Sequence, residues 1–249
     1  MILIESKNWD AYARKYHKDI VSPFQKGVDN PIFKTIDLIK NKNKLVAADI
    51  GCGPGDLLSF LCSKFKIVHA LDFSKEMLNI ARKRNKKNNI VFEKADMRKL
   101  SSLNLKLDVA ISVNSIMFVS FEDIDKSLDE IYNSLKNNGI FIGIFPSMEA
   151  IIHHAILVYE RELKKDKRNE LSRAKKITEI KKYCFVRGIY DDGEKQKFFY
   201  EFELLERLKE TGFKDIKISK VIYPWGKQGD YENFPGKPEM WDWFVSARK

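Results

Sequence analysis

Five short runs of β-forming apolar residues alternate with amphipathic helical patterns in the first part of this chain. A strand that is apolar on both faces must be buried on both faces, which favours a parallel sheet covered by helices. Right-handed crossovers between such strands leave few topologies open. The predicted strands are 44–50, 66–72, 89–96, 106–114 and 139–145, and the predicted helices are 56–65, 74–87 and 122–139.

Capping signals mark the ends of the predicted helices. A serine side chain at the N-cap accepts a hydrogen bond from the first helical turn, and glycine readily takes the left-handed conformation that ends many helices. The expected caps are Ser74 at the start of helix 74–87, Gly139 at the end of helix 122–139 and Gly212 at the end of a later helix, 201–213.

Two segments interrupt this alternation. Residues 1–43 precede the first strand and carry helical patterns, and residues 147–199 separate the fifth strand from the later helix. We therefore expect a core domain that is continuous in space but not in sequence. The predicted parts are an N-terminal helical segment at 1–43, a core at 44–146 and 200–249 that ends in strands 215–225 and 240–249, and an insertion at 147–199.

The composition is that of a globular protein with an excess of positive charge. Hydrophobic residues make up 44% of the 249 residues, and the net charge is +10. Because acidic and basic residues are mixed, a solvated lysine-rich surface explains this charge better than an anionic partner does. No apolar run is long enough for a membrane span, and the three cysteines form no C-x-x-C pair. We expect a cytoplasmic protein without a metal site.

The stretch DIGCGPGDLL at 49–58 follows the first predicted strand, where parallel sheets bind ligands. Its glycines are spaced G-x-G-x-G, and Asp56 stands where a dinucleotide-binding loop has its third glycine. No Gly-Lys-Ser/Thr follows, which excludes a Walker A loop. Asp49 beside the loop would repel a pyrophosphate but attract an ammonium group, and Asp56 at a helix N-terminus would oppose phosphate binding. These features favour a nucleoside with a cationic group.

S-adenosylmethionine fits this description, because it carries an amino group, a sulfonium and an adenosine. Asp72 ends the second predicted strand, where its carboxylate can accept both ribose hydroxyls. Asp96 ends the third strand, where an oxygen can accept from the adenine amino group. Phe73 and Met97 can form walls for the adenine ring.

Four motifs in this order resemble those of the class I S-adenosylmethionine-dependent methyltransferases: DIGCGPG, ALDFSKEML, KADM and LDVAISVNSIMFV. The resemblance covers about residues 40–145 and implies an α/β fold, a doubly wound Rossmann-like seven-stranded sheet with the last strand antiparallel. It implies S-adenosyl-L-methionine as cofactor. The cofactor-binding residues implied are Asp49, Gly51, Cys52 and Gly53 at the methionine moiety, Asp72 at the ribose, Asp96 at the adenine, and Ser112 and Val113 on the opposite side, with Met77 as a further candidate.

The two outlying segments are interpreted as an N-terminal helical lid and a helical cap insertion. Trp9, Tyr12, Ala13 and Tyr16 share one face of a helix, which either docks on the sheet or covers the cofactor, with Tyr16 as the main contact. In the resembling family, the position of 147–199 often forms a substrate cap. Ten basic and five acidic residues crowd into 160–182, which is typical of a solvated helix but would also suit RNA.

Candidate catalytic residues are few, because methyl transfer from a sulfonium needs alignment more than acid–base chemistry. His153 and His154 in the expected cap could act as bases, although buried structural histidines are more common. Tyr12 and Asn114 are comparable candidates. The sequence identifies no stronger catalytic group.

The acceptor is expected to be a small molecule, and three functions stay open. SVNSIMF follows the fourth strand in place of the N-P-P-Y or D-P-P-Y motif that marks base or glutamine methylation in the family. A proline–cysteine nucleophile is also missing, which disfavours methylation of pyrimidine carbon 5. The alternatives to a small-molecule methyltransferase are a tRNA or rRNA methyltransferase that uses the basic cap and a non-catalytic cofactor-binding protein.

Overall fold

A computed structural model describes residues 10, 13, 21–165, 182–191, 195–227 and 232–249. Tyr12 and Tyr16, and with them most of the expected lid helix, lie outside the described residues. The same holds for most of the basic stretch at 160–182. No helix in the described ranges is long and apolar enough to cross a membrane.

Seven strands form one sheet in the spatial order β3-β2-β1-β4-β5-β10-β9. The strands β1 to β5 pair in parallel, and β10 runs antiparallel to both of its neighbours, β5 and β9. This confirms the expected sheet with its last strand antiparallel. The strands are β1 Val46–Ile50, β2 Ile67–Asp72, β3 Ile90–Lys94, β4 Leu107–Val113, β5 Leu135–Pro146, β9 Lys214–Tyr223 and β10 Met240–Arg248.

Helices cover both faces of the sheet, because successive residues of each central strand point to opposite sides. In β1, Ala47 packs into a core beneath α1, α2 and α3, whereas Ala48 packs into a second core beneath α4 and α6. The helices are α1 Ile32–Asp37, α2 Leu58–Lys64, α3 Lys75–Arg84, α4 Phe121–Ser134, α5 Met148–Lys165 and α6 Glu201–Thr211.

Two of the three expected helix caps are confirmed. The Ser74 hydroxyl accepts from the backbone N–H of Met77 at 3.1 Å, and Gly212 has a φ of 104° directly after α6. Gly139 as a C-cap is wrong, since α4 already ends at Ser134 and Leu135 begins β5. Asn138 has a φ of 62° and lies at an irregularity inside the strand, where pairing to β4 jumps from Leu135 to Ile140.

The insertion contains a helix and a small sheet. The helix α5 was expected, but the antiparallel strands β6 Tyr183–Cys184, β7 Ile189–Asp191 and β8 Lys195–Lys197 were not. Each strand has only two or three residues, which is too short for an alternating pattern to be detected. The proposed boundaries at 43, 146 and 199 stay predictions.

The end of β8 is tied to the core by backbone hydrogen bonds. The N–H of Lys197 donates to the carbonyl of Met117 at 3.3 Å, and Phe199 N–H donates to Pro146 at 2.7 Å. The buried Lys197 ammonium also donates to Glu203 on α6 at 2.6 Å. The insertion therefore contacts the loop that follows β4.

Gly55 allows α2 to approach α3. Its φ is 82°, and a Cβ there would lie 2.8 Å from Nδ2 of Asn85 and 3.0 Å from Cβ of Ala81. If Asn85 moved away, it would lose the hydrogen bonds that its amide donates to the carbonyls of Gly55 and Ala81. The loop after β1 is thus packed directly against α3.

We expect Gly55→Ala to destabilise the protein more than Gly236→Ala does. Gly236 has nearly the same φ, 81°, but nothing within 4 Å of an added Cβ. Backbone strain alone should cost about 1–2 kcal/mol in both variants, and overpacking should add roughly 1–3 kcal/mol at Gly55. Urea unfolding midpoints measure the difference, and equal midpoints for the two variants would contradict this packing.

Candidate active site

A cleft opens at the carboxyl ends of β1, β2 and β4. Its empty space, counting the open mouth, is about 750 Å³. This is the edge where parallel sheets bind ligands, next to the point at which the strand order reverses. The residues that line it are Ile50, Gly51, Gly53, Leu71, Asp72, Phe73, Met77, Ala95, Asp96, Met97, Leu100, Val113, Asn114, Ser115, Met117 and Phe118.

The glycine loop lies close to the segment after β4. Gly51 has a φ of 76°, and a Cβ there would stand 2.4 Å from Cβ of Ser115. The loop is held from below, because the N–H groups of Gly51 and Cys52 donate to the carbonyl of Leu71 at 2.7 and 2.9 Å. Because residue 51 has no Cβ, the glycine loop and the segment after β4 can lie this close together at the floor of the cleft.

Asp72 connects this loop to α3. Its Oδ2 accepts from the N–H of Gly53 and its Oδ1 from the N–H of Ser74, both at 2.8 Å. Burial raises the pKa of Asp72 to about 6, although these backbone hydrogen bonds oppose the rise. A carboxylate oxygen has two acceptor positions, so each oxygen can accept one more donor.

Asp49 lies beneath the loop and does not line the cleft. Its side chain is buried. Burial, followed by the charges of Asp72 and Asp56, raises the pKa of Asp49 to about 7. Asp56 itself pairs with Arg84 at 2.7 Å. A cation bound in the cleft would therefore lower the cost of ionising Asp49.

Asp96 lines the cleft but is held by Arg98. Its Oδ1 accepts from the backbone N–H and Nε of Arg98 at 3.0 Å, and its Oδ2 from Nη2 at 2.7 Å. Burial raises the pKa of Asp96, but the hydrogen bonds and charge of Arg98 outweigh it and hold that pKa below its ordinary value. Most acceptor positions of this carboxylate are filled, which leaves less capacity for the adenine amino group than the sequence suggested.

Arg98 also contacts the opposite wall of the cleft, which follows β4. Its Nη1 donates to Asp123 on α4 at 3.1 Å, and its guanidinium lies 5.1 Å from the ring centre of Phe118. Because Phe118 lines the cleft, this one side chain connects the wall after β3 with the wall after β4.

The other sequence candidates fall into three groups. Gly51, Gly53, Phe73, Met77, Met97 and Val113 line the cleft, as does Asn114, whereas Cys52 and Ser112 are buried beside it. The hydroxyls of Ser112 and Ser115 lie 2.6 Å apart. Tyr12 and Tyr16 lie outside the described residues.

His153 and His154 on α5 face the loop before β10. The His153 Nε2 is 2.8 Å from the carbonyl of Pro238, and the His154 Nε2 is 3.2 Å from that of Glu232. Burial lowers the pKa of His154. Neither residue is among those that line the cleft, so their contacts support a packing role in the described structure.

Sequence reasoning missed several wall residues. Ser115, Met117 and Phe118 belong to the quoted motif after β4, so their position beyond a strand end was a usable signal. Ile50, Leu71, Ala95 and Leu100 gave no such signal, because they look like ordinary core residues. Ile50 and Leu71 lie at or next to the ends of β1 and β2, and Ala95 and Leu100 lie in the segment after β3, so only the fold shows that they border the cleft.

Residues 47–139 match the family model described as "Methyltransferase domain". This range holds the glycine loop, Asp72, Asp96 and the segment after β4. Residues 47–139 are a methyltransferase domain. The fold of the remainder agrees, since 98% of the chain aligns with 92% of magnesium protoporphyrin IX methyltransferase from Synechocystis PCC 6803 with bound SAM, at a TM-score of 0.61 and 15% identity.

Curated relatives of the methyltransferase domain act on different acceptors. Malonyl-[acyl-carrier protein] O-methyltransferase from Priestia megaterium is 24% identical over 157 residues, 60% of this chain and 56% of the relative. Demethylmenaquinone methyltransferase from Bacteroides fragilis is 31% identical over 112 residues, 43% of this chain and 45% of the relative. The chain thus spans about half the length of the curated relatives it matches.

We expect Asp49→Asn to stabilise the methyltransferase domain increasingly as the pH rises. A buried carboxyl whose pKa is raised in the folded state binds more protons there than in the unfolded chain. The contribution of Asp49 to the free energy of unfolding is therefore full below about pH 4 and is lost as the pH rises to about 7. The variant should gain roughly 4 kcal/mol over wild type above that range.

Urea unfolding from pH 4 to pH 8 measures this difference. Asp37→Asn is the matched control, because Asp37 is an exposed carboxyl on α1 that pairs with Lys64. It should change the free energy of unfolding by less than about 1 kcal/mol. A difference between wild type and Asp49→Asn that does not vary with pH would contradict the assignment.

Proposed function

We propose that this protein is an S-adenosylmethionine-dependent methyltransferase with a small-molecule acceptor. The observation that carries the proposal is the position of Asp72, which ends β2 inside a cleft of a methyltransferase domain and holds the glycine loop through Gly53. Its carboxylate keeps acceptor capacity for the two hydroxyls of a ribose.

The charges around the cleft fit a cationic cofactor. Asp72 and Asp96 line it, and Asp49 is buried beneath its floor. A sulfonium and an α-amino group would be stabilised by ionised Asp72 and Asp49, whereas Arg98 already balances the charge of Asp96. Phe73, Met77 and Met97 offer an apolar wall for the adenine, and the missing Cβ of Gly51 lets the glycine loop pack against Ser115.

Bound S-adenosylmethionine would supply a methyl group whose carbon bonds to the acceptor atom while the electron pair of the broken C–S bond stays on sulfur. The chain's own residues have to position the two reactants and exclude water. Val113, Met117 and Phe118 can exclude water from the wall after β4. Arg98 keeps Phe118 in place through its contacts with Asp96 and Asp123.

Two kinds of relative support a small-molecule acceptor, namely the demethylmenaquinone and the magnesium protoporphyrin IX methyltransferases. The RNA alternative depends on the basic stretch at 160–182, of which the described part is 160–165 and 182. A non-catalytic cofactor-binding role is the third alternative. One experiment separates all three.

The purified protein should be incubated with methyl-radiolabelled S-adenosylmethionine and cell extract, which is then separated into RNA, protein and small-molecule fractions. We expect label in the small-molecule fraction. Label in RNA would instead favour the basic stretch as a nucleic-acid surface, with a steep salt dependence. Cofactor binding without any transfer would favour the non-catalytic alternative.

Asp72→Ala should weaken S-adenosylmethionine binding at least tenfold, about 1.4 kcal/mol. The substitution removes both the ribose acceptor and the anchor of Gly53. Isothermal calorimetry measures the dissociation constant, and circular dichroism checks the fold.

Asp108→Ala is the matched control. Asp108 also accepts a backbone N–H, that of Val46 at 2.8 Å, but at the amino-terminal ends of the strands and not at their carboxyl ends. It should leave cofactor affinity unchanged. Wild-type affinity in a folded Asp72→Ala protein would overturn the site assignment.

A further inference from the structure

The side chain of Asn114 carries a buried hydrogen-bond acceptor without a donor. Asn114 lines the cleft directly after β4, and its backbone N–H donates to Ile144 at 2.8 Å. Its Oδ1 finds no hydrogen-bond partner among the described residues. Such orphaned oxygens cost roughly 1–3 kcal/mol, so natural proteins retain few of them.

The two last strands fix how this amide is turned. Asn114 Nδ2 donates to Oδ2 of Asp242 on β10 at 3.0 Å, and the hydroxyl of Tyr223 on β9 donates to the same oxygen at 2.6 Å. Burial raises the pKa of Asp242, while these two hydrogen bonds oppose the rise. Because Oδ2 receives both bonds, the amide keeps its orientation whether or not the other oxygen is protonated.

The backbone of Asn114 adds to this fixed geometry. Its φ is 45°, in the left-handed region that asparagine tolerates better than most residues. The orientation of the amide is therefore set by the backbone at one end and by Asp242 at the other. On this residue of the cleft wall, Oδ1 is left as a buried acceptor with a fixed orientation.

In the part of the chain that the structure describes, the cleft also offers no cation to an anionic acceptor molecule. Among the described residues that line it, none is a lysine, arginine or histidine. Arg98 lies behind Phe118 and is paired with Asp96 and Asp123. A carboxylate entering this site would meet two acidic side chains and the amide oxygen of Asn114.

We propose that Asn114 Oδ1 accepts a hydrogen bond from an N–H or O–H group of the methyl acceptor, and that Asp242 and Tyr223 are positioning residues for it. The substrate class is accordingly an amine, alcohol, phenol or similar donor. This inference rests on the proposed methyltransferase function. It separates this protein from its malonyl-[acyl-carrier protein] relative and leaves a hydroxyl-bearing ring as a fitting acceptor.

The bond that forms identifies the acceptor class. Radiolabelled small-molecule product from the extract assay is treated with mild base, which hydrolyses methyl esters to volatile methanol but leaves N-methyl, ether and C-methyl products intact. We expect the label to stay non-volatile. Release of most label as methanol would overturn the proposal, whereas no label in any fraction would count against methyl transfer itself.

Substitutions then test the residues. Asn114→Ala should lower the rate of label transfer at least tenfold and leave the S-adenosylmethionine dissociation constant unchanged. Asn104→Ala is the matched control for backbone strain, since Asn104 has a φ of 49° and is exposed. Equal rates for these two variants would contradict a role for the amide.

Asp242→Asn and Asp242→Leu test positioning, because asparagine can still accept from Nδ2 of Asn114 and leucine cannot. We expect half-maximal transfer to require more extract with the leucine variant than with wild type. With the asparagine variant, the amount of extract required should be close to that for wild type. Tyr223→Phe should have an intermediate effect. Unchanged half-saturation in folded Asp242→Leu protein would overturn the positioning role.

Discussion

The carboxylate of Asp72 is the interaction on which the cleft depends. It accepts one N–H from Gly53 in the glycine loop, 19 positions earlier, and one from the residue before α3, so it joins these two loops. Ser74 extends this connection, since its hydroxyl caps α3 and donates to Asp10 at 2.5 Å. The N-terminal segment thus reaches the same point, and the cofactor would meet a site that is already assembled.

Much of this architecture could be predicted, because its signals are local and repeated. The apolar strands around Ala48 and Ala110 need burial on both faces, and that requirement alone gives a covered parallel sheet. Ser74 and Gly212 were predictable since a cap depends on few neighbouring residues. The prediction for Gly139 was wrong, because an Asn-Gly pair looks the same in the sequence at a helix end and inside an irregular strand.

The candidate site was predictable where a residue follows a strand, and not where a distant partner decides its role. Asp72 and Asp96 both end strands, but only the fold shows that Arg98 occupies the carboxylate of Asp96. The relation between Asn114 and Asp242 spans 128 positions. No spacing in one sequence signals such a contact, since antiparallel placement of β10 creates it.

The hydrogen bond between Lys197 and Met117 has a consequence for how such a protein can diversify. It attaches the insertion to the wall after β4, while the glycine loop and Asp72 are supported from β1, β2 and α3. Changes in the length or sequence of the insertion would therefore reshape the wall after β4 without disturbing the glycine loop and Asp72. In the proposed function this wall faces the acceptor, so one half of the cleft could vary under selection while the other stays constant.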